Sequence, residues 1–348
     1  MATERLISPA AVEPEDERIN WSLRPTCIGE YIGQTELIER LSIAMQAGKA
    51  RGDPLEHVLL HGPPGLGKTT LAHVIASEMG GRVHGTSGPA LTRGTDLVAV
   101  LTRLAEGDIL FIDEIHRLPI AVEEFIYPAM EEFRVDVCVD TGLNARTIQI
   151  NCKPFTLIGA TTRAGLLSAP LRSRFGLVHH LRFYAPDELL EILRRSARLL
   201  ALEAPGDGPL EAIAARSRGT PRIANRLLRR VRDFAQVKAR GRVSAGVVDD
   251  ALKLEAVDRL GLDELDRMYL RTIAGVYDGG PVGLEAVAAT LNEDSGTLED
   301  VVEPYLLQIG FLARTRRGRM LTRAAAEHLG LKWKPPREDS PLFESDAV

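Results

Sequence analysis

The fold is decided by the stretch His57-Val58-Leu59-Leu60-His61-Gly62-Pro63-Pro64-Gly65-Leu66-Gly67-Lys68-Thr69-Thr70. A short apolar strand, Val58 to Leu60, runs into a glycine loop, and an apolar-periodic helix follows from Leu71 to Ala76. Strand, glycine loop and helix in this order are the context that a phosphate-binding loop requires. The stretch therefore predicts a nucleotide phosphate site. The alternative is a glycine-rich turn between a strand and a helix that binds nothing.

The residue types of this loop suit a polyphosphate. Its glycines let successive backbone N–H groups point inward, and the helix that starts near Lys68 adds its positive end. We expect Lys68 to reach the β- and γ-phosphates of a nucleoside triphosphate, and the Thr69 hydroxyl to bind a Mg²⁺ ion that bridges them. The residues assigned to this loop are Gly62, Pro63, Pro64, Gly65, Leu66, Gly67, Lys68, Thr69 and Thr70.

A second apolar strand, Ile109 to Ile112, ends in Asp113-Glu114. In a chain that already has a phosphate loop, Asp113 at the carboxyl end of a buried strand is suited to holding the Mg²⁺ shell. Glu114 is suited to orienting and deprotonating the attacking water, the general-base role that separates hydrolysis from binding. The pair therefore predicts that the bound nucleoside triphosphate is hydrolysed.

A third apolar strand, Phe155 to Ala160, ends in Thr161-Thr162-Arg163, and a polar residue at this tip would face the γ-phosphate. Shortly after it, Arg172 and Arg174 stand at what reads as a helix end. Arg174 is either a solvated side chain or an arginine finger that is offered to the nucleotide of a neighbouring subunit.

The segment before the phosphate loop supplies candidates for a base pocket. Tyr31 and Ile32 offer an apolar wall for adenine, although they fit the core at a domain edge equally well. Arg24 lies in the same segment and is included with them as a nucleotide-binding candidate.

Length and composition favour a cytoplasmic protein with several domains. The 348 residues accommodate two or three domains at roughly 100–200 residues each. No run approaches the roughly 18 apolar residues of a membrane span, and the acidic segment from Met1 to Asn20 does not resemble a secretory signal. Three cysteines without Cys-x-x-Cys spacing argue against a disulfide framework and against a zinc site.

Periodicity divides the chain into five parts. The α/β part, residues 21–182, carries the motifs above on a parallel sheet with flanking helices, and residues 183–260 read as a small all-α lid. Residues 261–334 show three helices and a two-stranded turn, the layout of a winged-helix DNA-binding domain. We expect residues 1–20 to form a flexible arm and residues 335–348 a disordered acidic tail.

The net charge of −5 by itself argues against a nucleic-acid-binding protein, but the charge is unevenly distributed along the chain. Between Arg216 and Arg242 stand ten basic residues and one acidic residue, which indicates either a solvated basic helix or contact with phosphates or an acidic neighbouring subunit. Within that stretch Thr220 is expected to cap a helix that starts at Pro221. Between Arg314 and Lys334 stand seven basic residues and one acidic residue. The residues that we expect to bind DNA are Arg314, Arg316, Arg317 and Arg319.

A β-hairpin is predicted at residues 134–150. Its two arms alternate with period two around Asp140 to Asn144. The hairpin is either a sheet edge or a projection that docks a partner, and the pattern does not choose between them.

The order of these motifs resembles that of AAA+ ATPases, and five segments resemble more closely the RuvB family, the bacterial Holliday-junction branch-migration motors. The similarity covers roughly residues 21–334. The five segments are Glu30-Tyr31-Ile32-Gly33-Gln34, Thr86-Ser87-Gly88-Pro89-Ala90, Phe111-Ile112-Asp113-Glu114-Ile115-His116-Arg117-Leu118, Gly159-Ala160-Thr161-Thr162-Arg163-Ala164-Gly165 and Gly280-Pro281-Val282-Gly283-Leu284.

This resemblance implies a homohexameric ring that uses ATP and Mg²⁺ to pump duplex DNA through a four-way junction held by RuvA, upstream of RuvC. The site residues that it implies are Lys68 and Thr69 as Walker A, Asp113 and Glu114 as Walker B, Thr162 as sensor one, Arg174 as the finger and Arg222 as sensor two. RuvA would dock on the hairpin. The chain departs there from the family, since Gly142-Leu143-Asn144 and Lys153-Pro154 replace a glycine-proline tip and a Pro-Pro pair.

Two other functions compete with this interpretation. A clamp loader shares the motor but typically has Ser-Arg-Cys at the finger, where this chain has Ser173-Arg174-Phe175. A nucleotide-switched DNA-binding regulator would use ATP only for assembly. Glu114 discriminates against it, because a switch does not need an efficient general base.

Overall fold

A computed structural model describes residues 21–138, 147–203 and 206–333. The arm at 1–20, the hairpin tip within 139–146 and the tail at 335–348 lie outside the described residues, so their predictions stay predictions. Within the described ranges no helix combines the length and apolar character needed to cross a membrane.

The α/β part is built on five parallel strands, which confirms the predicted fold class. They are β1 Val58–His61, β2 Val83–Ser87, β3 Ile109–Asp113, β6 Thr156–Thr161 and β7 Leu177–His180, in the spatial order β2-β3-β6-β1-β7. The flanking helices are Thr35–Arg51, Lys68–Met79, Gly94–Leu101, Ile120–Glu132 and Ala169–Ser173. Because β6 pairs with both β1 and β3, the carboxyl ends of the three strands that carry the predicted motifs meet at one edge.

Alternate residues of the central strands pack on opposite faces of the sheet, as the pleat dictates. Leu60 and Phe111 join the hydrophobic cluster that continues into the lid, whereas Leu59 and Leu110 join the cluster on the other face. Burial on both faces explains why β1, β3 and β6 are continuous apolar runs. The edge strands β2 and β7 lack such runs, and the sequence pattern did not predict them as strands.

The predicted hairpin is confirmed in its arms. Strand β4, Arg134–Cys138, pairs antiparallel with β5, Thr147–Asn151, in a register that places Arg134 opposite Asn151.

The lid is all-α, with helices Pro186–Leu199, Asp207–Ala215, Pro221–Lys238 and Ala245–Leu254. The prediction that the third helix starts at Pro221 with Thr220 at its N-cap is confirmed, although the Thr220 side chain makes no capping hydrogen bond. Thr220 is buried, and its hydroxyl donates to the carbonyl of Arg218 at 3.2 Å. Nor is the basic stretch a single solvated face, because Arg218, Arg226 and Arg229 are buried.

The winged-helix domain comprises helices Glu264–Val276 and Leu284–Leu291, a continuous helical segment, two antiparallel strands, and a final helix Arg323–His328. The helical segment consists of Ser295–Thr297, a π-helical turn Leu298–Val302 and Glu303–Gln308. Strands β8, Leu312–Thr315, and β9, Gly318–Leu321, form the predicted wing.

A buried ion pair attaches the winged-helix domain to the lid. The Arg218 guanidinium binds the Asp266 carboxylate, and both side chains are almost inaccessible to solvent. Arg218 Nε also donates to the Gly261 carbonyl at 2.7 Å, and the Tyr305 hydroxyl donates to the Leu260 carbonyl at 2.6 Å.

Candidate functional site

The phosphate loop connects β1 directly to helix Lys68–Met79. Gly62, Gly65 and Gly67 all have positive φ, at 142°, 82° and 98°. A Cβ atom at Gly62 would lie 2.5 Å from the Leu181 carbonyl oxygen, so only glycine fits at this turn. The helix therefore begins at Lys68 with its amino end facing the loop.

Lys68 is a buried cation whose observed hydrogen-bond partners are neutral. Its Nζ donates to the carbonyls of Gly62 at 2.8 Å and Pro63 at 3.0 Å, and only 7% of the residue is exposed. Burial lowers the Lys68 pKa to about 8, and the nearby carboxylates of Asp113 and Glu114 oppose that shift. A buried ammonium beside a helix amino end and a glycine loop is suited to an anion, so these residues fit a polyphosphate.

Asp113 and Glu114 lie at the carboxyl end of β3. The Glu114 backbone N–H donates to Asp113 Oδ1 at 2.9 Å, and Glu114 adopts the left-handed conformation with φ 48°. Burial, and next the charge of Asp113, raise the pKa of Glu114. A carboxylate with a raised pKa is a stronger base, which is suited to taking a proton from water.

Thr162 stands beside this carboxylate because β6 lies between β1 and β3. Its hydroxyl donates to Glu114 Oε2 at 3.4 Å. The neighbouring Thr161 is fully buried, and its hydroxyl lies 2.8 Å from His116 Nδ1. The Glu114 carboxylate and the Thr162 hydroxyl, which were predicted separately from the sequence, therefore belong to one site.

Lys68, Asp113, Glu114 and Thr162 share one cleft, with a volume of about 1060 Å³, large enough for a nucleotide. The cleft is lined by Tyr31 and Ile32, the candidates for the base pocket, by Arg24 and Arg222, and by Thr69, Thr70 and Pro64 of the loop. Pro63 and Leu66 do not line the cleft. The Pro63 carbonyl accepts a hydrogen bond from Lys68 Nζ, and the Leu66 side chain is fully buried.

Tyr31 lines the cleft and also packs against the hydrophobic core that continues into the lid. Its hydroxyl lies 3.2 Å from that of Tyr184, which also donates to the Leu66 carbonyl at 3.3 Å. Burial raises the pKa of Tyr31 to about 12, so the phenol stays neutral. Tyr184, Arg195 and Asn225 line the same cleft, although the sequence pattern does not single them out.

Arg174 lies away from the cleft of its own chain. It follows helix Ala169–Ser173, and its Nη1 donates to the Pro170 carbonyl at 2.7 Å. Its Nε lies 3.1 Å from Glu131 Oε1, and its guanidinium lies 4.3 Å from the centre of the Tyr127 ring. The residue is thus neither free in solvent nor in reach of its own phosphate loop.

The four arginines predicted to bind DNA separate into two pairs. Arg316 and Arg317 form the exposed turn between β8 and β9. The other two hold the fully buried carboxylate of Glu303, with Arg314 Nε at 2.8 Å and Arg319 Nε at 2.9 Å. Arg314 and Arg319 therefore have a structural task that the sequence pattern does not reveal.

Three further residues border the hydrolytic group. His116 Nδ1 lies 3.2 Å from Glu114 Oε2, and burial lowers the His116 pKa, so the ring is neutral at pH 7. Arg163 and Asp300 also line the cleft. A His directly after a buried Asp-Glu strand is a signal that could have been used for His116, whereas Asp300 comes from another domain and leaves no local signal.

Comparisons with known proteins match the whole of this architecture. The model of the "Holliday junction DNA helicase RuvB P-loop domain" matches residues 23–181, the "RuvB AAA lid domain" residues 184–258 and the "RuvB C-terminal winged helix domain" residues 259–330.

Solved structures of RuvB from Thermotoga maritima are similar throughout. One, titled as the Holliday junction branch migration motor, is 52% identical with a TM-score of 0.83 and covers 90% of this chain and 100% of its own. A Pro-to-Gly variant has the same identity and TM-score and covers 89% of this chain and 100% of its own. The chain therefore belongs to the RuvB family of AAA+ ATPases.

Proposed function

We propose that the protein is an ATP-driven motor that moves duplex DNA and so branch-migrates Holliday junctions in recombination and repair. The observation that carries this proposal is the single cleft in which Lys68, Glu114 and Thr162 meet, with 3.4 Å between the Thr162 hydroxyl and Glu114 Oε2. Membership of the RuvB family supports the junction as the substrate.

The roles of the residues follow from their places in the cleft. The loop N–H groups and Lys68 bind the phosphates of ATP, and Thr162 orients the water that Glu114 deprotonates. Arg222, which lines the cleft from the lid, would contact the same phosphates. Thr69 and Asp113 would hold Mg²⁺, which neutralises charge on the phosphate oxygens.

Arg174 serves a neighbouring subunit in this proposal. Because it lies away from its own cleft, it can complete a site only across an interface between subunits. A closed ring supplies one such interface for every site, and we propose a homohexamer on the ground of family membership.

The remaining partners follow from the same family. We propose that RuvA docks on the hairpin of β4 and β5, that RuvC acts in the same complex, and that the wing contacts duplex DNA through Arg316 and Arg317. A cytoplasmic location is proposed because a bacterial DNA motor works where the chromosome lies.

A four-way junction assay tests substrate and partner together. The protein is incubated with ATP, Mg²⁺ and a synthetic junction, with and without RuvA, and separation of the junction into duplexes is followed. We expect ATP-dependent separation that RuvA increases and that Glu114→Gln abolishes. Sequence-specific DNA binding with negligible ATP turnover would instead identify a nucleotide-switched regulator, and loading of a sliding clamp would identify a clamp loader.

A further inference from the structure

Arg163 joins the nucleotide cleft to the winged-helix domain. It follows Thr162 at the tip of β6 and lines the cleft. Its Nε and Nη2 donate to Asp300 Oδ1 at 2.9 and 2.7 Å, and its Nη2 lies 3.2 Å from Glu299 Oε2. Both carboxylates that bind the guanidinium therefore come from a domain that begins about a hundred residues later in the chain.

The two acids lie in the π-helical turn Leu298–Val302, and Asp300 lines the cleft itself. Single π-turns inside helices occur frequently at functional sites. Glu299 Oε1 also lies 3.8 Å from Arg314 Nη2 and 3.9 Å from Arg319 Nη2, so the same carboxylate faces the wing. The turn thus stands between the cleft and the strands of the wing.

The attachment through Arg163 differs in kind from the attachment through Arg218. The Arg218–Asp266 pair is buried, and such a pair does not open without leaving a charge in the interior. Arg163 and Asp300 keep 34% and 39% of their side chains exposed, and pairs of this kind are individually weak. The winged-helix domain is therefore fixed to the lid through Arg218, whereas its contact with the strand tip through Arg163 is reversible.

A chain of polar contacts leads from Arg163 to the hydrolytic carboxylate. The backbone N–H of Arg163 donates to the Thr161 hydroxyl oxygen at 3.0 Å, and that oxygen lies 2.8 Å from His116 Nδ1. His116 Nδ1 in turn lies 3.2 Å from Glu114 Oε2. A displacement of Arg163 is consequently transmitted to both threonines of the tip and to Glu114.

We propose that Arg163 is a positioning residue through which the winged-helix domain, by way of Asp300 and Glu299, holds Thr162 and Glu114 in the geometry for hydrolysis. The proposal rests on the ATPase function proposed above for this cleft. Under this proposal the rate of ATP hydrolysis depends on the position of the winged-helix domain relative to the cleft.

A double-mutant cycle in the full-length protein tests the pair. The variants are Arg163→Ala, Asp300→Asn and their combination, with steady-state ATP turnover measured at saturating duplex DNA. We expect each single change to lower kcat about tenfold and to change KM by less than about twofold. The loss is smaller than the roughly hundredfold cost of misplacing reacting groups by 1 Å. The combined variant should be no slower than the slower single variant, because residues that act as one unit are not additive.

Two controls separate positioning from folding and from charge. Arg163→Lys should recover part of kcat, because it keeps the positive charge. Glu285→Gln combined with Glu293→Gln changes the charge of exposed acids in the same domain and should leave kcat unchanged. Thermal unfolding of Asp300→Asn should match that of the unmodified protein.

Three results would overturn the inference: multiplicative losses in the combined variant, a change in KM without one in kcat, or single variants as active as the control pair. If the unmodified protein hydrolyses ATP while one of these results is obtained, only the role of Arg163 fails. Absence of turnover in the unmodified protein, with DNA and Mg²⁺ present, would remove the proposed function and this inference together.

Discussion

Arg174 gives the sharpest test of assembly and chemistry together. To act on a neighbour's nucleotide it must leave Pro170, Glu131 and Tyr127. Leaving them costs about 1–3.5 kcal/mol, taking about 0.2–1 for the partly exposed ion pair, about 0.5–1 for the cation–π interaction and about 0.5–1.5 for the hydrogen bond. An arginine finger contributes roughly 10³–10⁵ in rate, which is about 4–7 kcal/mol. The difference is at least about 0.5 kcal/mol, so Arg174→Ala should lower turnover at least about twofold and by up to roughly 10⁴.

Mixing two inactive variants tests whether Arg174 acts in trans. Arg174→Ala keeps an intact pocket, whereas Lys68→Ala has a dead pocket but presents an intact finger. In randomly mixed rings from equal amounts, about one interface in four joins an intact pocket to an intact finger, whatever the ring size. ATPase activity of the mixture should therefore rise to about a quarter of that of the unmodified protein.

Arg172→Ala is the matched control, because Arg172 is exposed on the same short helix and donates to the Ala164 carbonyl. We expect it to retain near-normal turnover and to add nothing to either variant on mixing. Mixed rings are verified by affinity capture of one tagged variant with the other. If captured mixed rings are as inactive as either parent, Arg174 does not act across the interface.

Three further predictions follow from the same geometry. Burial lowers the Lys68 pKa to about 8, and only the ammonium form binds phosphate. ATP affinity measured by equilibrium titration should therefore fall by up to about tenfold per pH unit above pH 8. Lys68→Arg should abolish that fall, because a guanidinium stays charged. Glu114→Gln should bind ATP with near-normal affinity and hydrolyse it at least about a hundredfold more slowly, so normal turnover in a phosphate-release assay would remove Glu114 from the mechanism. Arg316→Ala combined with Arg317→Ala should weaken binding to unrelated duplexes equally. The slope of log K against log salt concentration should become shallower by up to roughly 0.9 for each DNA phosphate that is no longer neutralised. An unchanged slope would contradict a phosphate role.

The phosphate loop and the Asp-Glu strand could be predicted because their chemistry needs adjacent residues at fixed spacing. Gly62, Lys68 and Glu114 are recognisable without knowledge of any distant contact. Their meeting in one cleft could also be expected, since parallel strands bring their carboxyl ends to one edge.

What could not be predicted depends on partners that are distant in the sequence. Arg319 is surrounded by the same basic residues as Arg316, yet Arg319 and Arg314 donate to the buried Glu303 carboxylate, whereas Arg316 lies in the exposed turn. Likewise, Thr220 is a residue type that often caps helices, but its hydroxyl donates a hydrogen bond to the Arg218 carbonyl instead. Strand β7 owes its conformation to pairing with β1 and has no apolar run of its own.

The buried pair of Arg218 and Asp266 limits how this chain can be recombined with its relatives. A winged-helix domain transplanted without an acid at position 266 would leave the Arg218 guanidinium in the interior without its carboxylate. Removing one partner of a buried pair destabilises a protein by about 3–5 kcal/mol, a large part of its total stability. A chimaera cut in the linker between the last lid helix and Glu264–Val276 must therefore carry both members or replace both. The unit of exchange is thus the lid together with the winged helix.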